Sequence, residues 1–172
     1  MKKIALISAM ATTLFTLNAQ AENYYVEASL GNSEIESESG SSFGILGGYK
    51  LYDQDQVKVS AELGYNKYLK IESDSIFGNV SQDISSIALG TKVSYSPMAK
   101  VGVFGRFAYE AMIADTEIFG ESTTTTSDEF SYAVGAEYEV ANNFSLGTQY
   151  KLTPLDGGAN LTNVTVSANY HF

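Results

Sequence analysis

The chain has 172 residues, of which 20 are acidic and 10 basic, and its formal net charge is −10. It contains no cysteine and one histidine, which excludes a disulfide framework, a thiolate metal site and a multi-histidine metal site. The negative charge also argues against nucleic-acid binding, because contacts with phosphates need lysine and arginine. We therefore predict one domain with no nucleic-acid partner, no metal and no cofactor.

The first 21 residues have the features of a secretory signal peptide. Lys2 and Lys3 form a basic start, residues 4–17 are mostly apolar but too few to span a membrane as a helix, and Ala19–Ala21 is a small-x-small cleavage site. We predict cleavage after the last of these alanines, which leaves residues 22–172 as the exported mature domain. Since no cysteine follows the cleavage site, we expect no lipid anchor.

The rest of the chain alternates between apolar and polar residues in eight segments, with no convincing helical period. Most are near the 9–11 residues that a tilted membrane-spanning strand requires. The last segment is the clearest, since Val164, Val166, Ala168 and Tyr170 share one face. The segments are Asn23–Gly31, Ser42–Tyr52, Val57–Tyr68, Ile84–Tyr95, Val101–Ile113, Glu129–Val140, Phe144–Leu152 and Asn163–Phe172.

The more apolar face of each segment carries no charge, whereas the opposite face carries glycines and charges of both signs. If the segments close into an exported barrel with this face inward, we predict that these charges form a paired network inside it, because buried charges need partners. One cluster is expected from mid-barrel outward and one nearer the periplasm. The outer cluster would contain Glu62, Arg106, Glu110 and Lys151, and the inner cluster Glu27, Lys50, Lys58, Lys92 and Glu137.

Alternation alone does not say whether the apolar face points to a soluble interior or to lipid. Three features favour lipid: connections that alternate in length, aromatic residues at strand ends, and glycines and paired charges suited to a narrow lumen. Both termini would then be periplasmic. The fold predicted is all-β, a closed antiparallel eight-stranded up-and-down transmembrane barrel. The long connections are expected at Asn32–Ser41, Leu69–Asp83, Ala114–Asp128 and Thr153–Thr162, and the short ones at Asp53–Gln56, Ser96–Lys100 and Ala141–Asn143.

The signal peptide, the eight segments and the final Tyr170-His171-Phe172 resemble the small outer-membrane β-barrel proteins, which include the OmpA transmembrane domain, OmpX and Ail. The resemblance implies residence in the bacterial outer membrane among its lipids and lipopolysaccharide. It also implies that Tyr170 and Phe172 form a signal read by the outer-membrane assembly machinery. No long extension follows Phe172, so we expect no peptidoglycan-binding domain.

We predict a non-enzymatic, monomeric barrel that supports the envelope and displays acidic connections for contact with a host or surface ligand. His171 does not predict catalysis, because it lies next to the chain end, and the pairing of Glu62 with Glu110 for glycosidase chemistry is disfavoured by the neighbouring lysine and arginine. Two alternatives stay open: a low-conductance ion pore gated by the interior salt bridges, and a soluble periplasmic lipid-binding barrel.

Overall fold

The computed structural model describes residues 23–36, 38–75, 78–118, 121–155 and 157–172. The predicted signal peptide lies outside these residues. Within the described ranges, no helix is long and apolar enough to cross a membrane.

Eight antiparallel strands form one closed barrel, in which each strand pairs with its neighbours in sequence and the last pairs with the first. The closing ladder runs from Tyr25 opposite His171 to Ile35 opposite Leu161. The predicted fold class is therefore confirmed. The strands are β1 (Tyr24–Ile35), β2 (Glu38–Gln54), β3 (Val57–Ser75), β4 (Gly78–Met98), β5 (Val101–Ile118), β6 (Glu121–Ala141), β7 (Phe144–Pro154) and β8 (Asn160–His171).

Three two-residue turns close one end of the barrel, which we call the short-turn end. They are Asp55–Gln56, Ala99–Lys100 and Asn142–Asn143, all within the short connections that the sequence predicts. Asp55 has a φ of 55°, a left-handed conformation that aspartate tolerates better than most residues. The start of β1 and Phe172 lie at this same end, since Phe172 N donates to Tyr24 O at 3.0 Å.

The prediction of long loops at the opposite end, the hairpin end, is wrong. Most of the predicted loop residues continue the strands, so that the β3–β4 ladder runs on to Ser75 opposite Gly78 and the β5–β6 ladder to Ile118 opposite Glu121. At about 3.3 Å per residue and a tilt near 40°, a 21-residue strand such as β4 rises about 50 Å, roughly twice the apolar band of such barrels. The strands therefore extend beyond the membrane as β-hairpins.

The apolar face of the strands lies on the outside of the barrel. Leu30, Val134 and Val166 each expose about two thirds of their surface (66%, 66% and 65%), and Val164 and Tyr170 are also exposed. Aromatic rings on this face pair between strands, with ring centroids 4.8 Å apart for Tyr24 and Tyr49. A lipid-binding barrel of the soluble type would bury this face, so the soluble alternative is contradicted.

Candidate functional site

The candidate site is the barrel interior, and strand β5 shows how it is layered. Counted from the short-turn end, β5 directs Phe104, Arg106, Glu110 and Met112 inward, and each has its own set of partners from other strands. Alternation makes this possible, because every second residue of a strand shares one face. The interior is therefore a stack of layers along the barrel axis, and we describe them in turn.

Arg106 forms the central layer with two carboxylates. Its Nη2 lies 2.5 Å from Glu27 Oε2 and its Nη1 3.0 Å from Glu27 Oε1, while its Nε lies 3.0 Å from Glu62 Oε2. Gln149 Oε1 accepts a further hydrogen bond from Nη1 at 2.6 Å, and the Tyr25 hydroxyl donates to Glu62. The two terminal nitrogens of the guanidinium thus bind Glu27 and its Nε binds Glu62. A buried arginine needs such partners, because it has lost its contacts with water.

Glu110 and Lys151 form the next layer toward the hairpin end. Lys151 Nζ lies 2.5 Å from Glu110 Oε1, and the hydroxyls of Tyr68 and Ser86 donate to Glu110 Oε2 at 2.5 and 2.7 Å. Lys151 also donates to the Tyr68 hydroxyl at 2.6 Å. The Glu110 side chain has no exposed surface, so the ammonium and two hydroxyls replace the water that it loses on folding.

An apolar cluster lies above this pair, toward the hairpin end. It consists of the buried side chains of Tyr68, Ile84, Met112 and Leu161. Tyr68 belongs to both layers, because its ring packs in the cluster while its hydroxyl reaches Glu110. Apolar side chains therefore border the ion pair on the side of the hairpin end.

Lys92 and Glu137 form the layer nearest the short-turn end. Lys92 Nζ lies 2.8 Å from Glu137 Oε2 and 4.5 Å from the centroid of the Phe104 ring. The Arg106 guanidinium lies 4.8 Å from the same centroid. The ring therefore separates two cations and interacts favourably with both. A cavity of about 50 Å³, enough for a few waters, borders the central and Glu110 layers.

The sequence predicts two clusters of charged residues, but the structure has three separate ion-paired layers and two lysines at the short-turn rim. The sequence predicts Glu27 in the inner cluster, but in the structure it binds Arg106 of the outer one. Lys50 and Lys58 stand apart from the paired interior at the short-turn rim, where each Nζ is 3.9 Å from Asp53 Oδ2. From here, "the network" denotes the residues paired inside the barrel: Glu27, Glu62, Lys92, Arg106, Glu110, Glu137 and Lys151.

Sequence reasoning missed the uncharged members of these layers, above all Tyr25, Tyr68 and Gln149. Their position in the alternation was a usable signal: Tyr25 precedes Glu27 by two residues, Tyr68 has the same parity as Glu62, and Gln149 precedes Lys151 by two. All three point inward with the charges.

The proposed assembly residues lie at the end of the last strand. Tyr170 is 48% exposed on the outer face, and its ring meets that of Phe172 edge-on at 5.1 Å. His171, between them, points to the interior side, with Nε2 3.4 Å from Ser145 Oγ and its ring 5.5 Å from that of Tyr25. Among the described residues, no group of acidic and histidine side chains has a metal-binding arrangement.

Residues 4–172 match the family model for the outer membrane protein beta-barrel domain. The chain belongs to this family, and its location is the bacterial outer membrane. Outer membrane protein P5 of Haemophilus influenzae is 22% identical over 120 residues, which cover 64% of this chain and 34% of that protein. The chain thus spans about a third of the length of the curated relatives it matches.

Two solved structures are similar across almost their whole length. Neisserial surface protein A is 16% identical, with 87% of this chain and 97% of that chain covered and a TM-score of 0.69. Ail, the attachment invasion locus protein of Yersinia pestis, in complex with the heparin analogue sucrose octasulfate, is 14% identical, with 87% and 97% covered and a TM-score of 0.63. These likenesses support the eight-stranded outer-membrane fold.

Proposed function

We propose that the chain is a non-enzymatic barrel with a closed lumen, which supports the outer membrane and presents its hairpins for contact. The observation that carries this proposal is the stack of apolar and ion-paired layers across the interior. Every charge of the network has an opposite charge within 3.0 Å, so the layers are held in place rather than solvated. An eight-stranded barrel is only wide enough for side chains, which agrees with a filled lumen.

Planar-bilayer recording of the refolded full chain tests the closed lumen. We expect no conductance steps above the bare-bilayer level for the parent protein in dilute or concentrated salt. The alternative, a pore gated by the salt bridges, is favoured by the cavity of about 50 Å³ beside Arg106, which leaves room for side chains to rearrange. Reproducible unitary steps from the parent, altered in Arg106→Ala, would replace the closed-lumen proposal with the pore.

We infer that the surface contact involves a basic partner. Acidic side chains dominate the hairpin end, where Glu34, Asp115 and Asp128 contrast with Lys67, itself paired with Asp83 at 3.3 Å. The structure of Ail, which is similar in fold, holds the heparin analogue sucrose octasulfate, but like charge would repel such a polyanion from these hairpins. Complementary potentials instead favour a lysine- or arginine-rich surface.

Cell binding to coated surfaces tests this contact. We expect cells displaying the barrel to bind polylysine-coated surfaces better than heparin-coated ones. A variant in which residues 115–124 are replaced by Asn-Gly, which joins the paired residues Ala114 and Thr125 by a tight turn, should lose part of that preference. Equal binding by this variant and the parent would show that the β5–β6 hairpin takes no part.

We also propose that residues 1–21 are a signal peptide and that the mature barrel begins at Glu22. The basic start, apolar stretch and Ala-Gln-Ala site support it. The intact mass of the protein recovered from outer membranes should correspond to a chain starting at Glu22. A mass that includes the first 21 residues would contradict the assignment.

A further inference from the structure

A cavity of about 170 Å³ opens at the short-turn end, between the Lys92–Glu137 pair and the turns. We call it the vestibule and define it by its charged lining residues. These are Lys50, Lys58, Lys92, Lys100, Glu137 and Glu139. The closed-lumen proposal does not depend on this space, because the ion pairs that fill the barrel lie above it.

The vestibule is positive although the protein is strongly acidic. Four of the chain's ten basic residues line it, and with two glutamates they give the lining a formal charge of +2, or +1 when Asp53 beside Lys50 and Lys58 is included, against −10 for the whole chain. A concave, low-dielectric wall strengthens such a local potential and raises the local concentration of anions.

Hydrogen-bond donors in the vestibule are available to a ligand. Lys50 and Lys58 each approach Asp53 Oδ2 only to 3.9 Å, which exceeds hydrogen-bond length, so both ammonium groups keep hydrogens to donate. The buried hydroxyls of Ser60 and Ser94 lie on the same wall. Ammonium groups and hydroxyls from several strands therefore line one concave space.

We propose that the vestibule binds a phosphate group. Phosphate offers several strong acceptor oxygens around one centre, and lysines bind it as point charges. The volume suits the group, since a cavity of about 150 Å³ holds a benzene molecule and this one has room for phosphate with a short ester substituent. The group can come from a soluble phosphate ester or from a phospholipid headgroup at the adjoining membrane surface.

His171, the chain's single histidine, lines the vestibule and provides a reporter for binding. Inorganic phosphate would be titrated into the untagged full chain in a nonionic detergent, at constant pH and with chloride matching the ionic strength. The imidazole proton resonances of His171 should shift and saturate. A second titration would use phosphatidylglycerol in the same detergent, with diacylglycerol as the phosphate-free blank. A saturable shift with phosphatidylglycerol but not with inorganic phosphate or diacylglycerol would identify a lipid source.

A pair of matched lysines tests whether the response belongs to the vestibule. Lys58 and Lys67 are similarly exposed (44% and 39%) and each pairs with an aspartate, but they lie at opposite ends of the barrel. The double variant Lys50→Gln, Lys58→Gln should weaken binding of the responding ligand at least about tenfold, and Lys67→Gln should leave it unchanged. The proposal is overturned if neither ligand gives a saturable shift, or if Lys67→Gln weakens binding as much as the double variant.

Discussion

Arg106 holds two buried carboxylates, because its one guanidinium contacts both Glu27 and Glu62. Arg106→Ala would leave both carboxylates buried without their cation. We expect this variant to lose about 3–5 kcal/mol of unfolding free energy, as measured by the denaturant dependence of folding in lipid vesicles.

Lys67→Ala is the matched control for Arg106→Ala, because its pair with Asp83 is partly exposed and worth about 1 kcal/mol or less. If the two carboxylates left without a cation are also replaced, part of the lost unfolding free energy should return. The triple variant Arg106→Met, Glu27→Gln, Glu62→Gln should therefore be more stable than Arg106→Ala. Equal stability of Arg106→Ala and Lys67→Ala would show that the central layer contributes nothing.

Interior packing, rather than backbone conformation, is the reason that position 135 requires glycine. A Cβ there would lie 2.4 Å from Phe104 Cζ and 2.5 Å from the backbone oxygen of Thr148, whereas at Gly105, on the outer face, the nearest atom is 3.9 Å away. We expect Gly135→Ala to lower the unfolding free energy by about 1–3 kcal/mol through overpacking. Gly105→Ala should change it by less than about 0.5 kcal/mol, and a similar loss in both variants would contradict the packing.

At the scale of a strand, the cost of placing a charge on the outer face depends on how deep the residue lies in the membrane. Val166 lies mid-strand on β8 and is 65% exposed, while Val140 lies near the short-turn end of β6 and is 49% exposed. Val166→Lys should cost about 2–4 kcal/mol of unfolding free energy in lipid vesicles, and Val140→Lys about 0–1 kcal/mol. A larger cost for Val140→Lys than for Val166→Lys would contradict this position of the membrane along the barrel.

The sequence predicts the membrane-spanning part of each strand better than its outer extension. β3 begins at Val57 as predicted but continues past Tyr68 to Ser75, and β6 begins at Glu121 rather than Glu129. Within lipid one face must be apolar, so alternation is visible in the sequence. Beyond lipid neither face has to be apolar, so the alternation fades while the backbone ladder continues the strand.

The inward charges were predictable, but their partners were not. Alternation places Glu27 and Arg106 on the same face of their strands, yet they are 79 residues apart, and their contact depends on how far the strands are staggered around the barrel. The stagger is set by turns and by bulges such as those at Lys50/Tyr52 and Lys67/Leu69. Pairwise contacts across a lumen therefore require the closed geometry.

At the scale of the whole molecule, one division explains both the fold and the location: apolar side chains cover the outside and paired charges occupy the inside. Lipid provides no hydrogen bonds, so the closed ring satisfies the strand backbones and the network satisfies the charged side chains. The family to which the chain belongs and its outer-membrane location agree with this division.

The most direct test is a single-cysteine scan along β8, which is straightforward because the natural chain has no cysteine. Spin labels would be placed in turn at Val164, Thr165, Val166 and Ser167 in vesicles, and their exposure to lipid-dissolved oxygen measured by electron paramagnetic resonance, with folding checked by heat-dependent gel migration. We predict high oxygen exposure at Val164 and Val166 and low exposure at Thr165 and Ser167. Uniform exposure, or the reverse alternation, would contradict the assignment of the apolar face to lipid.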